Sequence, residues 1–206
     1  MALQHVHNPA LHEHVAQARR VLELPVEVSG LRWHPFGVYT LPLSKRADDE
    51  GRSWSRRLHV WHPAAEPVGE SSAYGVHTHS GEAHSHVLVG ALEHHLYDFA
   101  RDADGIWRTA VVEGDQWRST LKGHFHAPTR AGTTHILLAQ QPHGVTTPHG
   151  FAISLFEQLD TPGPSEFTTW RRTDLPETPL VRTPPVPVGQ VQHEALVALD
   201  AVEVHA

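Results

Sequence analysis

Apolar residues recur at helical spacing near both ends of the chain, and between them the period falls to two. Leu11, Val15, Ala18 and Leu22 share one face of a helix. Asn8-Pro9 supplies a capping residue followed by a proline suited to the first helical position, and Pro25 ends the segment. From residue 26 the pattern predicts short strands at residues 37–43, 57–61, 74–79, 84–89, 92–99, 107–112, 135–140 and 151–158. The polar segment 44–55 reads as a hairpin or loop. Gly90-Ala91 and Asp102-Ala103-Asp104-Gly105 punctuate neighbouring strands. Residues 160–189 are rich in proline and read as an extended strap or linker. Helical spacing returns over residues 190–202, where Val191, Ala195, Leu199 and Val202 align.

Many short strands separated by turns predict a mainly β fold closed into a barrel or jelly roll. The expected organisation is an N-terminal helix in residues 1–25, a single barrel domain in 26–158, and a Pro-rich strap plus C-terminal helix in 159–206. A chain of 206 residues can bury one real core but hardly two. Its 15 glycines and 16 prolines suit a fold made of strands and turns. The net charge of −7 comes without a basic stripe, which argues against nucleic acid as a partner. Cysteine is absent, so disulfides are excluded and any metal must take nitrogen or oxygen donors. No basic start followed by an apolar run is visible, and no apolar stretch approaches the roughly 18 residues of a membrane span. The expectation is a soluble, cytoplasmic protein with no membrane partner.

Twenty histidines make imidazole the chemistry to weigh. His77-Thr78-His79 places two of them on one strand face, because side chains alternate with period two. His135 precedes the apolar run Ile136-Leu137-Leu138-Ala139 and falls on a strand that can form a neighbouring wall of the barrel. His77, His79 and His135 are therefore the expected metal ligands, facing a pocket. His84 is a possible fourth ligand or a pocket residue that orients the others; His86 competes for that role, and Glu82 is the acidic alternative. His124-Phe125-His126 is a competing pair, set lower because Ala127-Pro128 suggests a strand end. Arg57, or Arg56 beside it, could clamp a substrate carboxylate in two-pronged fashion, against the plainer reading of an exposed strand arginine. His59 and His62 flank Trp61 and read as core or rim residues. His143 and His149 sit among Pro and Gly, and read as surface or mouth-lining groups. His5, His7, His12, His14, His193 and His205 lie in terminal segments and read as solvated. Trp33, Tyr39 and Tyr97 read as pocket wall or core.

Gly75-Val76-His77-Thr78-His79 with Gly90, and the later Gly132-Thr133-Thr134-His135, resemble the two motifs of the cupin superfamily. Leu58-His59-Val60-Trp61 and the strand from Gly90 to Phe99 are similar to the cysteine-dioxygenase type within it. The likeness covers roughly residues 30 to 158. The usual cupin glutamate falls near Ala83-His84, where neither residue is acidic. Thiol dioxygenases also lack that acid and use three histidines, but their Ser-His-Tyr relay would fall on Ser154, Phe156 and Gln158. The resemblance implies a single-domain cupin barrel holding one divalent ion, Fe(II) or Zn(II). It implies a metal-dependent enzyme acting on a small, amino-acid-like or carboxylate-bearing molecule, with Arg57, Glu82, His84 and His86 as the catalytic candidates. Fe(II)-dependent oxygenation leads. The alternatives are Lewis-acid chemistry with zinc (isomerase, lyase, hydrolase, or the N–N bond-forming rearrangement of hydrazine-forming cupins) and a non-enzymatic metal-binding cupin. A homodimer is expected, since an exposed sheet edge needs cover.

Overall fold

The period-two segments become strands, and the two helical stretches pack together outside them. A computed structural model describes residues 5–34, 37–65, 76–111, 118–148, 150–161, 168–173 and 184–203. In chain order these form β1 (His5–His7), α1 (Leu11–Leu22), the single turn α2 (Val26–Ser29), β2 (Arg32–His34), β3 (Val38–Ala47), β4 (Ser53–Trp61), β5 (Val76–His77), β6 (Ala83–Val89) and β7 (Ala91–Arg101). There follow β8 (Trp107–Val111), β9 (Arg118–Arg130), β10 (Thr133–Leu137), β11 (His143–Thr146), β12 (Ala152–Leu159), β13 (Thr168–Arg172) and α3 (Val188–Glu203).

One sheet runs β1-β10-β6-β12-β4-β3-β2, and β11-β5-β13-β8-β9-β7 close on themselves. This is the mainly β barrel that the cupin resemblance implies, with the helices before and after it that the apolar spacing predicts. Alternation along the central strands of the seven-stranded sheet gives it two different faces. Leu58 and Val60 of β4, Leu88 of β6, and Ile153 and Leu155 of β12 point outward. They form the main core with Val15, Ala18 and Leu22 of α1 and Val191, Ala195 and Leu199 of α3. Each such Val, Leu or Ile side chain stabilises the fold by roughly 1.5–3 kcal/mol on burial. Tyr39 of β3 belongs to this outer core, where its hydroxyl donates to the Val186 carbonyl (2.6 Å) and accepts from the Val186 amide (3.0 Å). That pair ties the approach to α3 onto the sheet. The intervening residues of the same strands point inward and line a cavity between the two sheets.

Several segments differ from expectation. Helix α1 begins at Leu11 rather than next to Asn8. The Asn8 amide donates to Gly132 O (2.9 Å) and its side chain accepts from Ala10 N (3.1 Å), so Asn8 closes a turn between strand and helix. The terminal His5–His7 segment is a strand, paired with β10 so that His5 faces His135. The expected strap contributes β13, because Thr168-Thr169-Trp170 has the β-branched and aromatic character of a strand. Trp170 buries itself with Val76, Tyr97 and Trp107. Strand β9 tolerates Pro128, opposite Glu93 of β7. Gly90, with φ +72°, makes the tight connection from β6 to β7, and a Cβ there would strike the Phe151 carbonyl oxygen. Among the described residues no helix is long and apolar enough to cross a membrane.

Candidate metal centre and its cavity

Three imidazoles converge at one end of the cavity: His77 at the end of β5, His79 two residues on, and His143 at the start of β11. Their ligating nitrogens all lie within 4.8 Å of one another. Ring centroids are 5.0 Å apart for His77–His79, 4.4 Å for His77–His143 and 5.0 Å for His79–His143. The cause is cross-strand pairing. His143 stands opposite His77 in the antiparallel β5–β11 pair, and directly opposed residues bring their side chains together.

The turn delivering His143 is fastened on both sides. Gln140 adopts φ 60°, a left-handed conformation costing a non-glycine residue about 1–2 kcal/mol, while its amide donates to His79 O (2.9 Å). Gln141 donates through its side chain to Tyr97 O (2.9 Å), and Tyr97 N donates to Pro142 O (3.0 Å). His143 Nδ1 lies 3.0 Å from Gln141 O. A carbonyl can only accept, so Nδ1 carries the proton and Nε2 keeps its lone pair for the centre.

Burial keeps His79 and His143 neutral. It lowers His143 to about 4, and it lowers His79 well below the ordinary imidazole value, with His143 and His77 adding to the effect. Neutral imidazoles with free lone pairs are donors that suit Fe(II), Zn(II) and their neighbours. The donor set therefore fits a divalent ion, with no carboxylate in it.

The cavity has a volume of about 190 Å³. His34, Thr40, Arg57, His59, Ser85 and His94 give it polar positions, while Val38, Trp61, Leu92, Leu137, Val145 and Phe156 make the apolar wall. No aspartate or glutamate is among the described lining residues. Arg57, His59 and Trp61 alternate along β4 and all face in. The His59 ring stacks on Phe156 (5.2 Å, 21° between planes), and Phe156 in turn lies 4.9 Å from His79. Burial, then the nearby Arg57 and His34, lowers His59 to about 3. Burial, then Arg32, lowers Arg57 while Asp160 opposes them, and no described acidic residue lies within ion-pair distance of it.

His77 and His79 thus converge as expected, but the third imidazole is His143 and not His135. His135 is fully buried on β10, in the other sheet, where its ring stacks on His94 (3.9 Å, 13°). Its strand neighbour is Ser85 of β6, whereas β11 is the strand next to β5. The catalytic expectation for Glu82, His84 and His86 is also redirected. Ser85 faces the cavity, so the histidines on either side of it face outward, where Glu82 Oε1 meets His84 Nε2 at 2.7 Å. Arg57 is placed in the cavity wall, and Arg56 on the opposite face. Phe156 occupies the cavity where the resemblance called for a relay histidine, and Gln158 donates to Ser80 Oγ (3.1 Å). His62 is bound to Glu194 of α3 at 2.9 Å. The side chains of His124 and His126, and Gly75 and His149, lie outside the described residues. His34, His94 and His143 were missed as cavity residues. The signal for His143 was its even spacing with Val145: both face inward, and Pro142 and Gly144 hid the short strand.

No family model and no curated protein matches the chain. Among solved structures, a double-stranded β-helix protein from Klebsiella pneumoniae is 14% identical, with 71% of this chain and 94% of that one covered, at a TM-score of 0.39. Oxalate decarboxylase from Bacillus subtilis is 10% identical over 73% of this chain and 31% of its own, at a TM-score of 0.41. A DMSP lyase structure is 18% identical over 60% of this chain and 48% of its own, at 0.37. The chain thus spans less than two thirds of the lyase and decarboxylase chains.

Proposed function

We propose that this chain is a metal-dependent enzyme acting on a small carboxylate-bearing molecule, with Fe(II)-dependent oxygenation as its leading chemistry. One observation carries the reading: three imidazoles open into a cavity whose lining includes Arg57 and no described acidic residue. A divalent ion there keeps its full charge, and Arg57 adds another, so an anionic ligand would neutralise the site. When bound, the ion supplies Lewis acidity and, if it is iron, redox chemistry toward dioxygen. Arg57 would orient the substrate carboxylate through paired N–H donors. Trp61, Phe156, Leu92 and Val145 exclude water and leave few groups open to side reaction. His59, stacked on Phe156, presents a neutral imidazole to bound substrate as a hydrogen-bonding group. The all-imidazole donor set also suits zinc, which favours a second reading in which zinc or another redox-inert ion polarises the substrate.

The test is to reconstitute the metal-free protein separately with Fe(II) and with Zn(II), and to assay both against a panel of small amino and hydroxy acids. Oxygen uptake with Fe(II) alone supports oxygenation. Turnover without oxygen uptake, with either ion, supports the Lewis-acid reading. No tight metal binding by the triad and no carboxylate binding would contradict both.

A homodimer is part of the proposal, with β1 and β2 as the terminal strands of the seven-stranded sheet. Light scattering at micromolar concentration tests it, and a monomer mass would contradict it.

A further inference from the structure

We propose that the outer face of the seven-stranded sheet holds a second divalent-metal site, built from His84, His86 and Glu157 and taking an ion of the zinc class. It does not depend on the reading of the cavity.

Strand parity separates the two sites. On β6, Ser85 lines the cavity while His84 and His86 face the other way; on β12, Phe156 lines it and Glu157 faces the other way. Pairing of β6 with β12 sets Glu157 opposite His84. One nitrogen from each imidazole and a Glu157 oxygen all lie within 4.8 Å of one another. This brings two histidines at i, i+2 on one strand to a carboxylate on the next.

The surrounding bonds aim these donors. His86 Nδ1 lies 2.8 Å from Thr134 Oγ1, which leaves Nε2 directed at Glu157 Oε2, 3.2 Å away. His84 Nε2 lies 2.7 Å from Glu82 Oε1, so Glu82 orients the His84 ring from the open side, with its side chain 44% exposed. Two imidazole nitrogens and one carboxylate oxygen make three donors of the kind zinc accepts, with a further position left to solvent. In the ion-free protein a proton on His86 Nε2 bridges to Glu157. On ion binding that proton passes to Nδ1, which then donates to Thr134 Oγ1, and Nε2 becomes the ligand.

Glu157 can serve without losing its arginines. Its Oε1 accepts from Arg46 Nε (2.8 Å) and faces Arg56 Nε (2.9 Å). Only Oε2, which also accepts from Arg46 Nη2 (2.9 Å), would turn to the ion. Arg46 lies over the Trp54 ring at 5.2 Å and keeps that support. The two arginines oppose a cation, so this is expected to be the weaker of the two sites. The ion would cross-link β6 to β12 beneath α1, whose His14 ring lies 4.8 Å from that of His86.

The experiment titrates the full-length, metal-free protein with Zn(II) against a chromophoric chelator. The wild type should bind two equivalents. The double variant His77→Ala/His143→Ala should keep the weaker one, and His84→Ala should keep the tighter one. Glu82→Gln, a change at a half-exposed side chain that leaves the core intact, should weaken the second equivalent by roughly tenfold and the first not at all. A second equivalent unchanged in both His84→Ala and Glu82→Gln would overturn the proposal, as would a wild type binding a single equivalent that disappears with His77 and His143. If zinc binding survives His77→Ala/His143→Ala at two equivalents yet falls by one in His84→Ala, the cavity reading fails and the outer site stands.

Discussion

His143 stands directly across the β5–β11 pair from His77, with their rings 4.4 Å apart. The pair joins residues far apart in sequence, and it decides which histidine completes the candidate centre. His79 supplies the third ring. The bond from His143 Nδ1 to Gln141 O fixes which nitrogen is presented.

His135 has a different task. It is fully buried and stacked on His94, so its removal leaves a hole next to the cavity. His135→Ala is expected to cost roughly 2–4 kcal/mol of stability. Chemical denaturation of the metal-free protein measures this, and a change under about 1 kcal/mol would show that the stack contributes little.

Arg57 should act on binding rather than on folding. Arg57→Ala is expected to raise KM for a carboxylate substrate by roughly 10- to 100-fold, the value of a charged hydrogen-bonded contact. Stability should change by less than about 1 kcal/mol, since no described acidic residue pairs with this guanidinium. Equal KM values in wild type and variant would remove Arg57 from the binding role.

Much of the fold was legible because alternation marks strands that face a core on one side. The helices were legible from Leu11, Val15, Ala18, Leu22 and from Val191, Ala195, Leu199. The strands that escaped were β1, β2, β9, β11 and β13, which are short or carry Pro or Gly. The pair His77 and His79 was legible from i, i+2 spacing alone. The third ring was not, because strand order is a property of the closed barrel and not of either segment. Glu82, His84 and His86 were legible as a cluster, but the face they occupy depends on which β6 residues turn inward, and a shift of one reverses the answer.

Acid should destabilise the metal-free protein in two stages. His59 protonates near 6.5 when unfolded but stays neutral to about 3 in the fold. Between those values the unfolded state binds the extra proton, so stability is fully present above about pH 6.5 and falls as pH drops. For Glu157, burial pushes the carboxyl up, but His86 and Arg46 outweigh it and hold the group well below its ordinary 4.5. Its contribution is present above 4.5 and lost below. Denaturation at about pH 7 and about pH 5 should show His59→Phe losing less stability than wild type, by about 2 kcal/mol. Equal losses would mean that His59 is not held neutral by its surroundings.

Gly90→Ala should be costly. The residue has φ +72°, and an added methyl group would meet backbone at Phe151 and Ala152, neither of which is a movable side-chain end. A loss of about 2–3 kcal/mol, read from the denaturation midpoint, is expected. A shift smaller than about 0.5 kcal/mol would show that the β6–β7 connection can relax.

The most direct test of the candidate centre is tightly held metal in three versions of the full-length protein: wild type, His143→Ala and His135→Ala. Each is stripped, reconstituted with Fe(II) without oxygen, desalted and analysed for iron. Wild type and His135→Ala should each retain about one equivalent, and His143→Ala almost none. Iron retained in His143→Ala but lost in His135→Ala would contradict the account and return His135 to the site.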